Sequence, residues 1–206
     1  MLLIKSKLVI AALCLTLVCS LFPAEIRAQS TVQKFEILVA GFKIGDVIAE
    51  EVKKGETTEY HVNSKASFWF FGKIEVGFTV RNVYQKELLI NSKTNSNTNR
   101  GDYQSTIIWK IAHYDVRAST YKFENTEPIP NPIYHSSGKF YFHEPKDGDR
   151  MISESYGLVS RVTEKSDGVY EVDINGYLNQ YHFVDGKLDK IVVHHPVKNF
   201  VVQRVK

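Results

Sequence analysis

Cysteine is scarce in this sequence, and where it occurs it cannot form a disulfide in the main part of the chain. Both cysteines, Cys14 and Cys19, lie within the first 28 residues. The chain beyond them must therefore be held together by its apolar core alone. Lipid attachment requires a small residue directly before the cysteine. Neither cysteine has one, so we expect no lipid anchor.

Long apolar runs are equally scarce, and the one at the start has the features of a secretory signal peptide. Lys5 and Lys7 precede an uncharged stretch at 8–22, Pro23 ends it, and Ala28 suits cleavage. The stretch is too short to cross a bilayer comfortably as a helix. We therefore expect 1–28 to be removed, leaving a soluble exported protein, periplasmic or secreted, with no transmembrane anchor.

An excess of charge of either sign is also missing. Removal of the signal peptide at 1–28 removes three basic residues and one acidic residue, which leaves 23 basic and 22 acidic residues at 29–206. Nucleic-acid binding needs a clustered cationic surface, so we expect no nucleic-acid partner. The sequence contains no phosphate loop and no Gly-x-Ser-x-Gly motif, and we expect no cofactor.

What the chain does contain is alternation of apolar and polar residues with a period of two, which is typical of strands. It is clearest in three runs, whose apolar members are Ile74, Val76, Phe78 and Val80, then Tyr103, Ile107, Trp109 and Ile111, then Tyr170, Val172 and Ile174. Asp-Gly and Asn-Gly pairs separate such runs. The clearest hairpin turn is Asp185-Gly186, because both residue types tolerate positive φ.

These patterns predict an all-β fold, an antiparallel meander of about a dozen strands. Strand twist prevents so large a sheet from staying flat, so we expect a half-open or closed barrel. Three prolines fall at 128–132. They indicate a long connection at 124–132 inside one domain spanning 29–206, with a linker between two domains as the less favoured alternative.

Six short segments form a recognisable set: FEILVAG at 35–41, KIGD at 43–46, KFYFHEP at 139–145, SESYG at 153–157, GVYE at 168–171 and NQYHFVDG at 179–186. Together they resemble a family of exported bacterial β-proteins catalogued as a domain of unknown function, number 6134. The resemblance implies a curved antiparallel sheet and no established activity. His143 and Ser155 depart from the family pattern, which commonly has an acidic and a basic residue at these positions.

Two carboxylates are the candidate catalytic residues. Phe140, Phe142 and Glu144 would share one strand face, and Glu154 would lie across a hairpin at 147–148. Carboxylates that meet at a cavity mouth can hydrolyse glycosides. We prefer the alternative that Glu144 and Glu154 cap turns or form ion pairs.

The histidines give no clear metal site. His194 and His195 are adjacent, and adjacent residues of a strand face opposite sides, so the two cannot easily share one metal ion. We expect no metal.

Aromatic residues provide the ligand-binding candidates. Four occur in succession at 68–71, and alternate side chains of a strand cannot all face one core. Either the strand is covered on both sides, which we favour, or two rings face a groove, a partner or a membrane. The candidates are Phe68, Trp69, Phe70, Phe71, Trp109 and Tyr156.

Three functions remain, in order of preference. The first is binding of a hydrophobic or lipid-like molecule in the concave face of the sheet. The second is a structural or interaction role with a protein of the cell envelope, the concave face being packed solid. The third is hydrolysis by the paired carboxylates, so we consider an enzyme the less favoured hypothesis.

Overall fold

The computed structural model describes residues 28–69, 72–99, 101–194 and 199–205. Residues 1–27 of the predicted signal peptide at 1–28 lie outside this range, so the signal peptide remains a prediction. The strands, in chain order, are β1 (Gln29–Val39), β2 (Phe42–Lys54), β3 (Thr57–Trp69), β4 (Lys73–Gln85), β5 (Leu88–Thr98), β6 (Gly101–Trp109), β7 (His113–Thr120), β8 (Phe123–Asn125), β9 (Ile129–Pro130), β10 (His135–Ser136), β11 (Arg150–Ser153), β12 (Leu158–Ser166), β13 (Val169–Ile174), β14 (Tyr177–Val184), β15 (Lys187–Val193) and β16 (Phe200–Arg204). A 3₁₀ helix (Lys139–Tyr141) lies between β10 and β11.

The strands form one curled sheet built from two meanders. One runs from β1 to β8 and the other from β11 to β16, and β16 pairs with β1, Val202 lying opposite Ile37. Within the described residues the two ends of the path, β10 and β8, are not paired, so the barrel is open. The predicted all-β meander is confirmed. One pair, β10 with β11, is parallel.

Alternation along the strands decides which side chains face the interior, as the sequence predicted. Val80 of β4 and Val172 of β13 are buried, whereas Arg81 and Asp173 beside them are exposed. Ile111 is the exception. It is 93% exposed with φ of 68°, because β6 ends at Trp109 and the chain turns there, so its predicted inward position is wrong.

The hairpin between β14 and β15 also agrees with the sequence. Asp185 and Gly186 have φ values of 51° and 71°, as a two-residue turn with both centres left-handed requires. In the proline-rich segment the short strands β8 and β9 both pair with β7, and Ile129 lies opposite Tyr114.

The interior of the barrel is filled by the chain itself. We call residues 133–157 the plug, and the side chains of Ile133, Phe140, Met151 and Ile152 within it are fully buried. The Phe140 ring meets the Tyr181 ring edge-on, with 5.2 Å between centroids. The middle of the concave face is therefore packed solid.

Two local predictions in the plug are wrong. Residues 139–141 form a 3₁₀ helix rather than a strand carrying Phe140, Phe142 and Glu144 on one face. No hairpin forms at 147–148, because β11 pairs with β12 on one side and with β10 on the other. An apolar segment that lies inside a barrel is surrounded by side chains, so alternation along its sequence does not require a strand.

Candidate functional site

The two ends of the barrel differ in how well the interior is covered. We call the end that carries the β3–β4 and β5–β6 connections the upper end. Along the inner face of β3 and β4, Val62 and Val80 are buried at mid-height, whereas Ala66, Val76 and Phe78 above them are only half-buried. The apolar lining thus becomes more exposed toward the upper end.

Half-buried apolar side chains from three regions of the sheet meet there. We call this set the upper mouth: Ile44, Ala66, Phe68, Val76, Phe78 and Phe200. Four of them pack from above against the main core cluster. An open depression of about 420 Å³ lies across β2, β3 and β4 near this set, but its lining consists mostly of outer-face residues such as Asp46, Lys65 and Ser67, so it is not part of the upper mouth.

A row of hydroxyl groups runs down the inner face of β5 beside the upper mouth. The hydroxyl row consists of Thr98 and Ser96, which are half-buried, and Thr94 and Ser92, which are 3% and 1% exposed. In register with it on β4 lie Val76, Phe78, Val80 and Asn82. A polar strip therefore borders an apolar one from the upper end to the middle of the barrel.

Below this row, Glu154 is a fully buried carboxylate with four hydrogen-bond donors. It accepts bonds from Asn82 Nδ2 at 2.7 Å, Gly138 N at 2.9 Å, Ser137 N at 3.3 Å and Ser137 Oγ at 2.5 Å. A Cβ at Gly138 would lie 3.2 Å from Glu154 Oε1, so glycine permits the close approach. The carboxylate fastens the plug to β4.

Glu144, the other candidate carboxylate, lies elsewhere. Its Oε1 accepts a hydrogen bond of 3.0 Å from the Tyr170 hydroxyl. Burial is the larger cause and this bond the second cause that raise the pKa of Tyr170 to about 12. The described contacts of Glu144 and Glu154 share no residue. The geometry thus gives paired-carboxylate hydrolysis no support, and the hypothesis remains a prediction.

The lower end of the barrel carries two polar side-chain contacts that join the plug to the wall. His143 Nε2 lies 2.6 Å from Glu51 Oε1, and Lys139 Nζ lies 2.5 Å from Glu87 Oε2. Burial alone would raise the pKa of Glu51, but its contacts with His143 and Lys53 outweigh burial and lower it. Sequence reasoning missed these pairs because the partners are more than fifty residues apart.

His135 belongs to the same end of the molecule. Its Nε2 lies 3.3 Å from Asp149 Oδ2, and burial lowers the pKa of the imidazole. In the described part of the chain, no three His, Cys, Asp or Glu side chains are grouped closely enough to hold a metal ion. The contacts of Lys139 and His143 join the plug to the wall, whereas His135 and Asp149 both lie within the plug.

The aromatic candidates are distributed over both ends. Phe68 is half-buried in the upper mouth, and Trp69 beside it is 79% exposed. Tyr156 packs on Phe123 near the upper end, with 5.1 Å between ring centroids. Trp109 packs on Tyr114 in the second core cluster, away from the others. Phe70 and Phe71 lie outside the described residues.

Comparison with known proteins gives a family and a fold. A family model described as a domain of unknown function, DUF6134, matches residues 35–205. A β-barrel-like protein of the DUF1849 domain of unknown function from Brucella abortus is similar in structure, with a TM-score of 0.54 and 10% sequence identity, over 88% of this chain and 98% of that one. The chain matches no curated protein sequence. Among the described residues, no helix is long and apolar enough to span a membrane.

Proposed function

Since the chain belongs to the DUF6134 family, which is described only as a domain of unknown function, we propose from its own side chains that it is an exported protein that binds an apolar, lipid-like molecule at the upper mouth. The observation that carries this proposal is the change in exposure along β3 and β4, from the buried Val62 and Val80 to the half-buried Ala66 and Phe78. The plug packs the middle of the barrel, so the ligand covers the upper end rather than entering a closed cavity.

The affinity expected for such a ligand follows from the apolar surface that it would bury at the upper mouth. An acyl chain that removes about 300 Å² of apolar surface from water gains about 7 kcal/mol at 25 cal/mol per Å². The cost of immobilising the chain subtracts several kcal/mol from that figure. The remainder corresponds to weak, reversible binding, as a carrier requires.

A charge placed in the upper mouth tests this proposal. We expect purified wild-type protein to bind the neutral fluorescent probe N-phenyl-1-naphthylamine saturably. Ala66→Asp should weaken that binding at least tenfold, because a carboxylate desolvated beneath an apolar ligand costs well over about 1.4 kcal/mol. Fluorescence titration measures both affinities.

The matched control is Ser67→Asp. Ser67 neighbours Ala66 on β3 but lies on the exposed outer face, so this variant should bind the probe like the wild type. Circular dichroism must show that both variants keep the β-sheet signal. Equal loss in both variants, or no saturable binding by the wild type, contradicts ligand binding at the upper mouth.

A second candidate, an interaction with a protein of the cell envelope, is favoured by two exposed aromatic side chains. Trp69 is 79% exposed and Phe42 is 77% exposed. Gly45 pairs with Ala66, and extending that register by three residues places Phe42 level with Trp69 at the same rim. A photo-crosslinker at Trp69 should then capture one specific envelope protein in intact cells, whereas one at the exposed Lys93 should not.

A further inference from the structure

Exposed aromatic side chains are concentrated at the upper end of the barrel. Successive connections of an antiparallel meander alternate between its two ends, so the β1–β2, β7–β8 and β13–β14 connections lie at the same end as the β3–β4 connection. Among the described residues, five Phe, Trp and Tyr side chains are exposed, and four of them lie in or beside these four connections. We call these four the rim aromatics: Phe42, Trp69, Tyr121 and Tyr177.

The connections at the lower end have a different composition. Four of them consist of charged residues and glycine, at 55–56, 86–87, 167–168 and 185–186. The β6–β7 connection at 110–112 contains the exposed Ile111 but no aromatic residue. Tyr134, the remaining exposed aromatic residue, belongs to the plug. Exposed aromatic turns are therefore a property of the upper end and not of the barrel as a whole.

Tight turns hold two of the rim aromatics in place. The β1–β2 turn at 40–41 has φ values of 50° and 83°, and the β13–β14 turn at 175–176 has φ values of 55° and 84°. Both are therefore two-residue turns with left-handed centres. Phe42 and Tyr177 follow these turns directly and are paired with the preceding strand. A backbone that is already ordered loses little conformational freedom when its side chains contact a partner.

Charge does not explain a partner at this end. Two of the lysines beside the rim aromatics have carboxylate partners within 3.0 Å: Lys43 with Glu36 and Asp46, and Lys73 with Glu75. Lys122 lies over the Tyr121 ring, with 5.1 Å between its Nζ and the ring centroid. Attraction to an anionic membrane needs a cluster of unpaired cations. A partner is therefore recognised by the rings rather than by charge.

The type and the distribution of the rings identify this partner. Trp and Tyr have an apolar body and a polar tip, and they are enriched at membrane–water interfaces. The aromatic anchors of a protein interface cluster at the centre of one patch, whereas β5 and β6 separate the hairpin of Trp69 from that of Tyr121. Going beyond the proposed function, we propose that the rim aromatics insert into the surface of a lipid bilayer. This contact turns the upper mouth toward the membrane.

Vesicles of phosphatidylcholine test the proposal. We expect the wild type to sediment with them equally well at low and high salt, because screening weakens only charge-driven binding. Trp69→Ala should weaken vesicle binding by about tenfold and Tyr121→Ala by several-fold, since each removes a ring from the contact. In Trp109→Phe, Trp69 is the only tryptophan left, and its fluorescence should shift to shorter wavelength when vesicles are added.

The matched control for Tyr121→Ala is Tyr134→Ala. The two tyrosines are 53% and 49% exposed, but Tyr134 lies in the plug, so this variant should bind vesicles like the wild type. Circular dichroism must show that all variants keep the β-sheet signal.

Three results would overturn the proposal: no sedimentation of the wild type with vesicles, equal loss of binding in Tyr121→Ala and Tyr134→Ala, or binding only at low salt after phosphatidylglycerol is added. Capture of an envelope protein by the crosslinker at Trp69 without vesicle binding would assign the rim aromatics to a protein partner instead. The naphthylamine titration tests the proposed function separately, so the two can fail independently.

Discussion

At the scale of single residues, the contacts of Glu51 make the stability of the folded protein depend on pH. Glu51 is almost fully buried, and its two carboxylate oxygens lie 2.6 Å from His143 Nε2 and 3.0 Å from Lys53 Nζ. Burial raises the pKa of this carboxyl, and the two contacts together lower it by more, so the net shift is downward. A carboxyl with a lowered pKa stabilises the folded state when it is ionised.

The corresponding prediction concerns Glu51→Gln. The pKa of Glu51 is lower in the folded protein than its value of 4.5 in the unfolded chain, so its contribution is complete above pH 4.5 and is lost as pH falls through the folded-state pKa. At pH 7 we expect the variant to be less stable than the wild type. The difference should shrink steadily below pH 4.5. Urea unfolding at a series of pH values measures it.

Glu75→Gln is the comparison for this experiment. Glu75 pairs with Lys73 at 2.6 Å, but both side chains are more than 60% exposed, so the pair contributes little. The Glu75→Gln substitution should therefore change the free energy of unfolding only slightly at every pH. A Glu51→Gln difference that stays constant from pH 7 to pH 3 would contradict the lowered pKa.

At the scale of secondary-structure elements, the tight turns set the register of the meander. The β14–β15 turn needs two residues with positive φ, and Asp185-Gly186 provides them. The register then places Tyr181 opposite Ile191, and both face the core. Here the sequence was sufficient, because turn chemistry is local.

Gly186→Ala tests the turn. Its φ of 71° is strained for a residue with a Cβ, so we expect a loss of roughly 1 kcal/mol in the free energy of unfolding. Gly77→Ala is the matched change within a strand. There a Cβ meets its nearest backbone atom at 4.0 Å, so the free energy should stay the same or rise slightly. Equal losses in the two variants would show that backbone strain is not the cause.

At the scale of the whole molecule, the plug and the β1–β16 pair join the two meanders. Phe140 is fully buried in the main core cluster, whose members come from β1, β2, β13 and β14 among others. Because both meanders share this core, we expect them to unfold together.

Phe140→Ala should lower the free energy of unfolding by about 3 to 5 kcal/mol, since it removes a ring from a packed interior. Phe42→Ala removes the same ring from a site that is 77% exposed and should change it by less than about 0.5 kcal/mol. Hydrogen exchange should show β6 and β13 losing protection together in Phe140→Ala. Loss confined to β13 would mean that the halves are independent.

The sequence by itself determined the all-β meander, its main hairpin and the inward rows of several strands, because period-two alternation and Asp-Gly turns act over a few residues. It also singled out Phe68, which lies in the upper mouth. The polar run at 91–98 gave no sign of an inward row, since β5 is polar on both faces. Only the tertiary structure decided that the plug fills the barrel, that Glu154 meets Asn82, and that hydroxyls lie beside the upper mouth. Those contacts join residues far apart in the chain, and they depend on how the curled sheet closes around its own connection.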